Sequence, residues 1–291
     1  MFKGSMVALV TPFRNGKVDE AKIPELVEFH VSKGTSAICP CGCTGEAATL
    51  NHDEQITIIK IVVETVAKRV NVIAGTGSNS TEEALQLTRR AKDVGADGAL
   101  MITPYYNKPT QRGLLMHYEK IAASVDLPIM LYNVPSRTGV NMMPETVAEL
   151  SKIENIVAIK EASGSVDQVS AILNLCDINV LSGDDSLTLP MLAVGAKGVV
   201  SVAANVAPAE VAALIDSFNN CNMDEAQRIH YQLLPLFKAL FCETNPIPVK
   251  RALSMMNLIE NELRAPLIPL SAEKEPALRA VLDDLGLLEP A

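Results

Sequence analysis

The side chains best suited to chemistry in this sequence are one lysine, one arginine and a group of tyrosines and hydroxyls, and most of them directly follow short apolar runs. Lys160 ends Ile156-Val157-Ala158-Ile159-Lys160, Tyr132 follows Ile129-Met130-Leu131, and Arg137 comes five residues later in Pro135-Ser136-Arg137-Thr138-Gly139. A lysine attacks a carbonyl only as the free amine, so partial desolvation, which disfavours the ammonium, would prepare Lys160 for Schiff-base formation. A phenol, with an ordinary pKa of about 10, can pass protons to a carbinolamine or enamine when hydrogen-bonded beside it. A guanidinium fork accepts a carboxylate bidentately, and the Pro and Gly around Arg137 fix its backbone. Each residue also has a plain reading: Lys160 ending its strand in water or paired with Glu161, Tyr132 packed by its ring at a rim, Arg137 facing solvent. From the strand pattern alone the two readings of Lys160 balance; the neighbouring residues favour chemistry.

Those residues need elements to hold them. Short apolar runs recur at Ser5–Leu9, Ala37–Cys39, Val72–Ala74, Ala99–Ile102, Ile129–Leu131, Ile156–Ile159, Val180–Leu181 and Gly198–Val202, with helical stretches between. Ser80 can cap a helix through the Glu83 N–H while the Glu83 carboxylate reaches back, Asn51 and Glu54 offer a weaker version, and Pro144 suits a first helical position before Glu145–Leu150. Strand–helix alternation demands a parallel sheet, because parallel neighbours need a crossover long enough to hold a helix. Eight such units predict a (β/α)8 barrel. An open doubly wound sheet is the rival, but Gly75-Thr76-Gly77-Ser78-Asn79-Ser80 has Ser where a dinucleotide site needs its third glycine. After Pro208 the pattern is helical only, through Glu210–Phe218, Met223–Phe241, Pro246–Ile259 and Ala272–Leu285. Residues 1–207 therefore read as barrel strands and catalytic rim, and 208–291 as the final barrel helix plus a C-terminal helical appendage.

In such barrels the reacting groups gather at the carboxyl ends of the strands. There stand Thr11, the Gly42-Cys43-Thr44-Gly45-Glu46 loop, Thr103-Pro104-Tyr105-Tyr106, Tyr132-Asn133, Lys160-Glu161 and Gly183-Asp184-Asp185. Alternation puts Lys160 on the face of Ala158, pointing into the barrel mouth, and Val157 with Ile159 on the helix-facing side. His30, His52, His117 and His230 are scattered without metal-ligand spacing, so no metal is expected. Cys39, Cys41 and Cys43 alternate, but they form neither a zinc spacing nor a Cys-x-x-Cys pair and read as buried thiols.

The 291 residues, 48% hydrophobic and 20% charged, supply ample core. A net charge of −9 and the lack of a dense basic run argue against nucleic acid. The first apolar stretch is broken by Pro12, and later ones fall short of the ~18 residues a bilayer span needs. Six cysteines without a secretory segment fit free thiols in a reducing, cytoplasmic setting.

Gly42-x-Thr44-Gly45-Glu46, Thr103-Pro104-Tyr105-Tyr106-Asn107-Lys108-Pro109, Tyr132-Asn133-Val134-Pro135-Ser136-Arg137-Thr138-Gly139 and Ile159-Lys160-Glu161-Ala162-Ser163-Gly164 together resemble the dihydrodipicolinate synthase family. Gly4-Ser5, Leu181-Ser182-Gly183-Asp184-Asp185 and Asn245-Pro246-Ile247-Pro248-Val249-Lys250 extend the match along the chain. The Gly-x-Thr-Gly-Glu and lysine motifs mark a wider superfamily that includes N-acetylneuraminate lyase; Pro-Ser-Arg-Thr-Gly is narrower and points to the synthase. The resemblance implies no cofactor: Lys160 forms a covalent imine with pyruvate, and its enamine attacks L-aspartate 4-semialdehyde. It implies that Tyr132 shuttles protons, Arg137 holds the aldehyde's carboxylate, Thr44 with its loop N–H groups holds that of pyruvate, and Gly183 and Val200 wall the site. Tyr106 would join the relay across a subunit interface, which implies a homo-oligomer, at least a dimer and in this family a tetramer.

Where the family usually has two threonines before Gly-Glu, this chain has Cys43-Thr44, and the first of those positions is the relay hydroxyl between two tyrosines. A thiol bonds more weakly than a hydroxyl, although its ordinary pKa of about 8.5 still lets it pass a proton. Some family members bind L-lysine as a feedback inhibitor, and the matching positions here are Ala48, His52, Asn79, Glu83 and Tyr105; Gln55 stands where inhibited relatives often have histidine. Two other functions compete: an aldolase of sialic or keto-sugar acids using the same lysine, and a non-catalytic lysine-binding barrel.

Overall fold

The computed structural model describes residues 2–288. Eight parallel strands close into a barrel: β1 Gly4–Ala8, β2 Ala37–Cys39, β3 Asn71–Gly75, β4 Gly98–Ile102, β5 Ile129–Asn133, β6 Ile156–Glu161, β7 Asn179–Ser182 and β8 Gly198–Ser201. Each pairs with its sequence neighbours, and β1 closes the ring against β8. All eight expected strands are present. Six extend past the expected boundary at one end or both, because the ladder recruits flanking residues of weak strand propensity such as Asn71, Asn133 and Glu161. A two-stranded hairpin, Phe13–Arg14 with Lys17–Val18, covers the region beyond β1.

Met6, Cys39, Ile73, Leu100, Ala158 and Leu181 fill the barrel interior. Their strand neighbours turn outward onto the helices, where each fully buried Leu or Ile contributes about 2 kcal/mol relative to exposure. At Gly75 the packing leaves no room for a side chain: a Cβ there would lie 2.0 Å from the Cys41 carbonyl oxygen. The helix Pro208–Asn219 follows β8, and Met223–Ala239, Ile247–Met255 and Glu275–Asp284 come after it. Val211, Leu233, Leu253 and Leu278 of these helices share one hydrophobic cluster with Val7, Ile38 and Val72 of the strands.

Three local expectations are corrected. Val157 does not share the helix-facing side with Ile159: Ile129 pairs with Ile156 and Met130 with Ala158, so Val157 is the extra residue of a bulge and packs against the barrel-interior cluster. Ser80 does accept the Glu83 N–H, at 3.4 Å, but the Glu83 carboxylate turns to His52 and Ser78 instead of back to its own cap. The reciprocal box instead forms fully at Asn51 and Glu54, with bonds of 2.9 Å in both directions. The appendage helices are also shorter than expected, Ile247–Met255 ending four residues before Ile259.

Candidate active site

Lys160 stands on β6 inside the barrel, 4% exposed, with its Nζ 4.2 Å from the centre of the Tyr132 ring. The two residues face each other because Tyr132 of β5 and Lys160 of β6 are register partners. Burial lowers the lysine pKa; the nearby acidic groups, the Asp185 and Asp184 carboxylates among them, pull the other way without reversing the direction. Burial raises the Tyr132 pKa well above 10, as does charge on Cys43, while Arg137 opposes. The amine is thus shifted toward its nucleophilic form, and the phenol keeps a proton to donate.

The strand after Lys160 supplies the site's far wall. A Cβ on Gly183 would come within 3.1 Å of Lys160 Cε and 2.5 Å of Ala162 Cβ, so glycine there makes space for the lysine stem. Asp185 accepts the N–H groups of Val202 at 3.1 Å and Ala203 at 2.9 Å, together with the Ser201 hydroxyl, anchoring the segment that follows Val200. Val200 itself is buried in the interior cluster with Tyr132. Burial raises the pKa of both Asp184 and Asp185, and for both the Lys160 charge works in the opposite direction.

Opposite lies the Gly42–Glu46 loop. Cys41 and Glu46 adopt positive φ of 57° and 54°, and bonds from Glu46 N to Cys43 O and Ala47 N to Gly42 O curl the chain between them. The appendage holds this loop from behind. Asn245 Nδ2 donates to Thr44 Oγ1 at 3.0 Å, Lys250 Nζ pairs with Glu46 at 2.6 Å, and the Arg264 N–H donates to Glu46 at 3.1 Å. Arg137, expected in a loop, rides on a one-turn helix, Pro135–Thr138, and donates to the Asn245 carbonyl at 2.8 Å. Sequence reasoning gave Asn245 no role, since its partner Thr44 lies 201 positions away.

A cavity of about 440 Å³ is lined by Cys43, Tyr132 and Arg137, and also by Ala48, His52, Glu83 and Tyr105. Members of both sets singled out from the sequence therefore open onto one space, although Lys160, Thr44, Gly183 and Val200 are not among its lining residues. Within it His52 Nε2 and Glu83 Oε1 are 2.8 Å apart, and the Ser78 hydroxyl donates to the same carboxylate. Asn79 is not among the lining residues; its carbonyl accepts from Asn107 Nδ2. Gln55 lines the cavity and is tied down by its Nε2 donating to Ala47 O at 3.2 Å. Tyr106 is not brought to the site within this chain: it is 89% exposed on a strained loop with φ 72°. All six cysteines are free; burial pushes the Cys39 thiol up to about 12 and raises that of Cys41 as well. Among the described residues no group of three His, Cys, Asp or Glu could hold a metal ion, and no helix is long and apolar enough to cross a membrane.

A closed eight-stranded parallel barrel with a desolvated lysine beside a buried tyrosine at its carboxyl end defines an amine-centred (β/α)8 barrel enzyme. The model of the dihydrodipicolinate synthetase family matches residues 1–285, and the chain belongs to that family. It is 57% identical over 290 residues to a 4-hydroxy-tetrahydrodipicolinate synthase of Geotalea uraniireducens, covering 99% of this chain and 100% of the relative. The crystal structure of dihydrodipicolinate synthase from Aquifex aeolicus superposes with a TM-score of 0.97 at 52% identity, covering 99% of this chain and all of that one. The enzyme from Cyanidioschyzon merolae with lysine bound matches with a TM-score of 0.96 at 43% identity over 99% of each chain.

Proposed function

We infer that this chain condenses pyruvate with L-aspartate 4-semialdehyde to give 4-hydroxy-tetrahydrodipicolinate, a step of diaminopimelate and lysine biosynthesis. The observation that carries the chemistry is the Lys160 amine, desolvated and held 4.2 Å over the Tyr132 ring. The amine adds to the ketone carbon of pyruvate, water leaves the carbinolamine, and loss of a methyl proton from the imine gives an enamine. The enamine carbon bonds to the aldehyde carbon, and the product's own amine then displaces Lys160 as the ring closes, restoring the enzyme without a cofactor.

In this reading Tyr132 gives and takes the protons of carbinolamine formation and collapse. Thr44, oriented by Asn245, and the N–H groups of its loop hold the pyruvate carboxylate, and Arg137 at the cavity wall holds that of the aldehyde. Gly183 and Val200 shape the wall. Cys43 takes the relay place between Tyr132 and the Tyr106 of another subunit; an 89% exposed tyrosine on a strained backbone supports that assignment and with it a homo-oligomer, a tetramer in our reading. We place the enzyme in the cytoplasm, where its six free thiols stay reduced. Arg137 in the cavity favours a short charged aldehyde over the polyol of a sialic or keto-sugar acid.

Borohydride reduction with pyruvate present should add one pyruvate-derived mass to the peptide carrying Lys160; an unmodified chain would exclude the mechanism and leave only a binding barrel. L-lysine fits the Ala48, His52, Asn79, Glu83 and Tyr105 region, with Glu83 taking an ammonium. Since Glu83 already holds His52, a ligand there must displace or share that contact. Titrating L-lysine into the assay tests this directly: loss of rate supports feedback inhibition, and an unchanged rate removes it.

A further inference from the structure

Two motif residues remain without a task, Asn133 and Glu161, each directly after a residue of the amine–phenol pair. They are also partners in the ladder: Tyr132 lies opposite Lys160, and Asn133 opposite Glu161. Strand alternation turns Lys160 into the barrel and Glu161 out beneath the helices. There Glu161 is fully buried, and everything that reaches it is a donor. Asn133 Nδ2 reaches both carboxylate oxygens at 3.2 and 3.1 Å, the Ser163 N–H donates at 2.8 Å, and Gln168 Nε2 donates at 3.1 Å. Asn133 is buried too and has its carbonyl oxygen on the Met142 N–H at 2.9 Å, so neither side chain can turn over without losing bonds. Asn141 closes the ring, accepting from Asn133 at 2.7 Å and donating to Gln168 at 2.8 Å.

This ring sits where the two strands most need fixing. The bulge at Val157 moves β6 by one residue relative to β5, and the pairing Tyr132–Lys160 exists only in the shifted register. A slip of one residue would turn every later side chain to the opposite face and withdraw the amine from the phenol. Ladder bonds between backbones are indifferent to which residues carry them. The Asn133–Glu161 bond is made by side chains, and so it identifies one register.

We propose that Glu161 is a positioning residue: through Asn133 it pins β6 to β5 in the bulged register and so holds the Lys160 amine against Tyr132. The inference rests on the reading of Lys160 as the nucleophile. Glutamate is required over glutamine because its carboxylate only accepts, whereas an amide would set its own N–H groups against at least one of the three donors. The role predicts a loss in turnover with little loss in substrate binding, since a displacement of about 1 Å between reacting groups costs up to about a hundredfold in rate.

The test is a swap. Glu161→Gln and Asn133→Asp, made singly and together, are assayed for kcat, for both KM values and for borohydride trapping of pyruvate. Each single variant should lower kcat about tenfold or more, with both KM values within about threefold and Lys160 still trapped at saturating pyruvate. In the double variant the amide introduced on β6 faces the carboxylate introduced on β5, which restores donor to acceptor, and kcat should recover at least about threefold over the poorer single variant. Folded single variants with kcat within about twofold of the parent, or a double variant no better than the singles, overturn the proposal. If Glu161→Gln yields no folded protein, Asn133→Ser removes the same bond while leaving the carboxylate two donors; it should show the same kcat loss, and full turnover would sink the idea. Absence of trapping in the parent enzyme would instead refute the nucleophile itself, so the two failures cannot be confused.

Discussion

Two lysines of this chain are buried almost equally, and only one is fit for covalent chemistry. Lys160 and Lys250 are 4% and 0% exposed, each Nζ lies 4.2 Å from the centre of an aromatic ring, Tyr132 or Phe13, and burial lowers both pKa values. The difference is the partner. Lys250 donates to the Glu46 carboxylate at 2.6 Å, a pair with both side chains out of water, so its nitrogen is committed to one acceptor. Among the described residues Lys160 makes no ion pair; the carboxylates that bear on it, Asp185 and Asp184, act from a distance, and Asp185 spends its oxygens on Ser201, Val202 and Ala203. Desolvation alone therefore does not make a nucleophile. An amine must be dried and also left without a close carboxylate, or the lone pair never becomes available.

Removing each lysine in turn separates the two roles most directly. Lys160→Ala should cut condensation by at least about a thousandfold and abolish the borohydride-dependent mass gain, with the fold retained. A Lys160→Ala protein that still condenses the two substrates at the parent rate would refute the assignment. Lys250→Met strands the Glu46 carboxylate in the interior and should cost about 3–5 kcal/mol of unfolding free energy, read from denaturant titration. Its folded fraction should still trap pyruvate on Lys160; loss of trapping with unchanged stability would mean that the roles have been reversed. A smaller effect is expected beside the phenol. Cys43→Val should lower kcat about tenfold, whereas Cys43→Thr should match or exceed the parent, because relay needs a group that both donates and accepts. An unimpaired valine variant would remove Cys43 from the mechanism.

The subtlest test concerns the distant anions. With Lys160 as the proposed nucleophile, the reacting form is its neutral amine, so kcat/KM for pyruvate should rise with pH through the lysine pKa. The Asp184 carboxylate favours the ammonium and holds that pKa up against the effect of burial. Asp184→Asn should therefore move the acidic limb of the profile to lower pH, and a limb that stays in place would show that this carboxylate is too well screened to matter.

Much of this architecture could be read from residue order. The eight strands are short apolar runs punctuated by Gly, Pro and charge, and four of the helices between them start at side-chain caps, Asn51, Ser80, Thr110 and Ser165. Lys160, Tyr132 and Arg137 declare themselves through residue type and through their places at or just beyond the ends of such runs. Less visible was anything that depends on what faces what. The Val157 bulge leaves no mark in a run of apolar or small residues, yet it determines which residue stands opposite the phenol. Glu83 looks like its own helix's cap, and only the approach of the neighbouring helix reveals that His52 claims it. Asn245 and Lys250 sit more than two hundred positions from the loop they hold.

The sequence by itself determined the elements and the chemical repertoire, because propensity, capping and side-chain reactivity act over a few residues. Tertiary structure alone decided which lysine is left unpaired, which register sets amine against phenol, and that Tyr132 and Arg137 share one cavity with His52, Glu83 and Tyr105. Those outcomes depend on burial and on contacts across long spans of chain, where desolvation and the nearest partner, not residue type, set what a side chain can do.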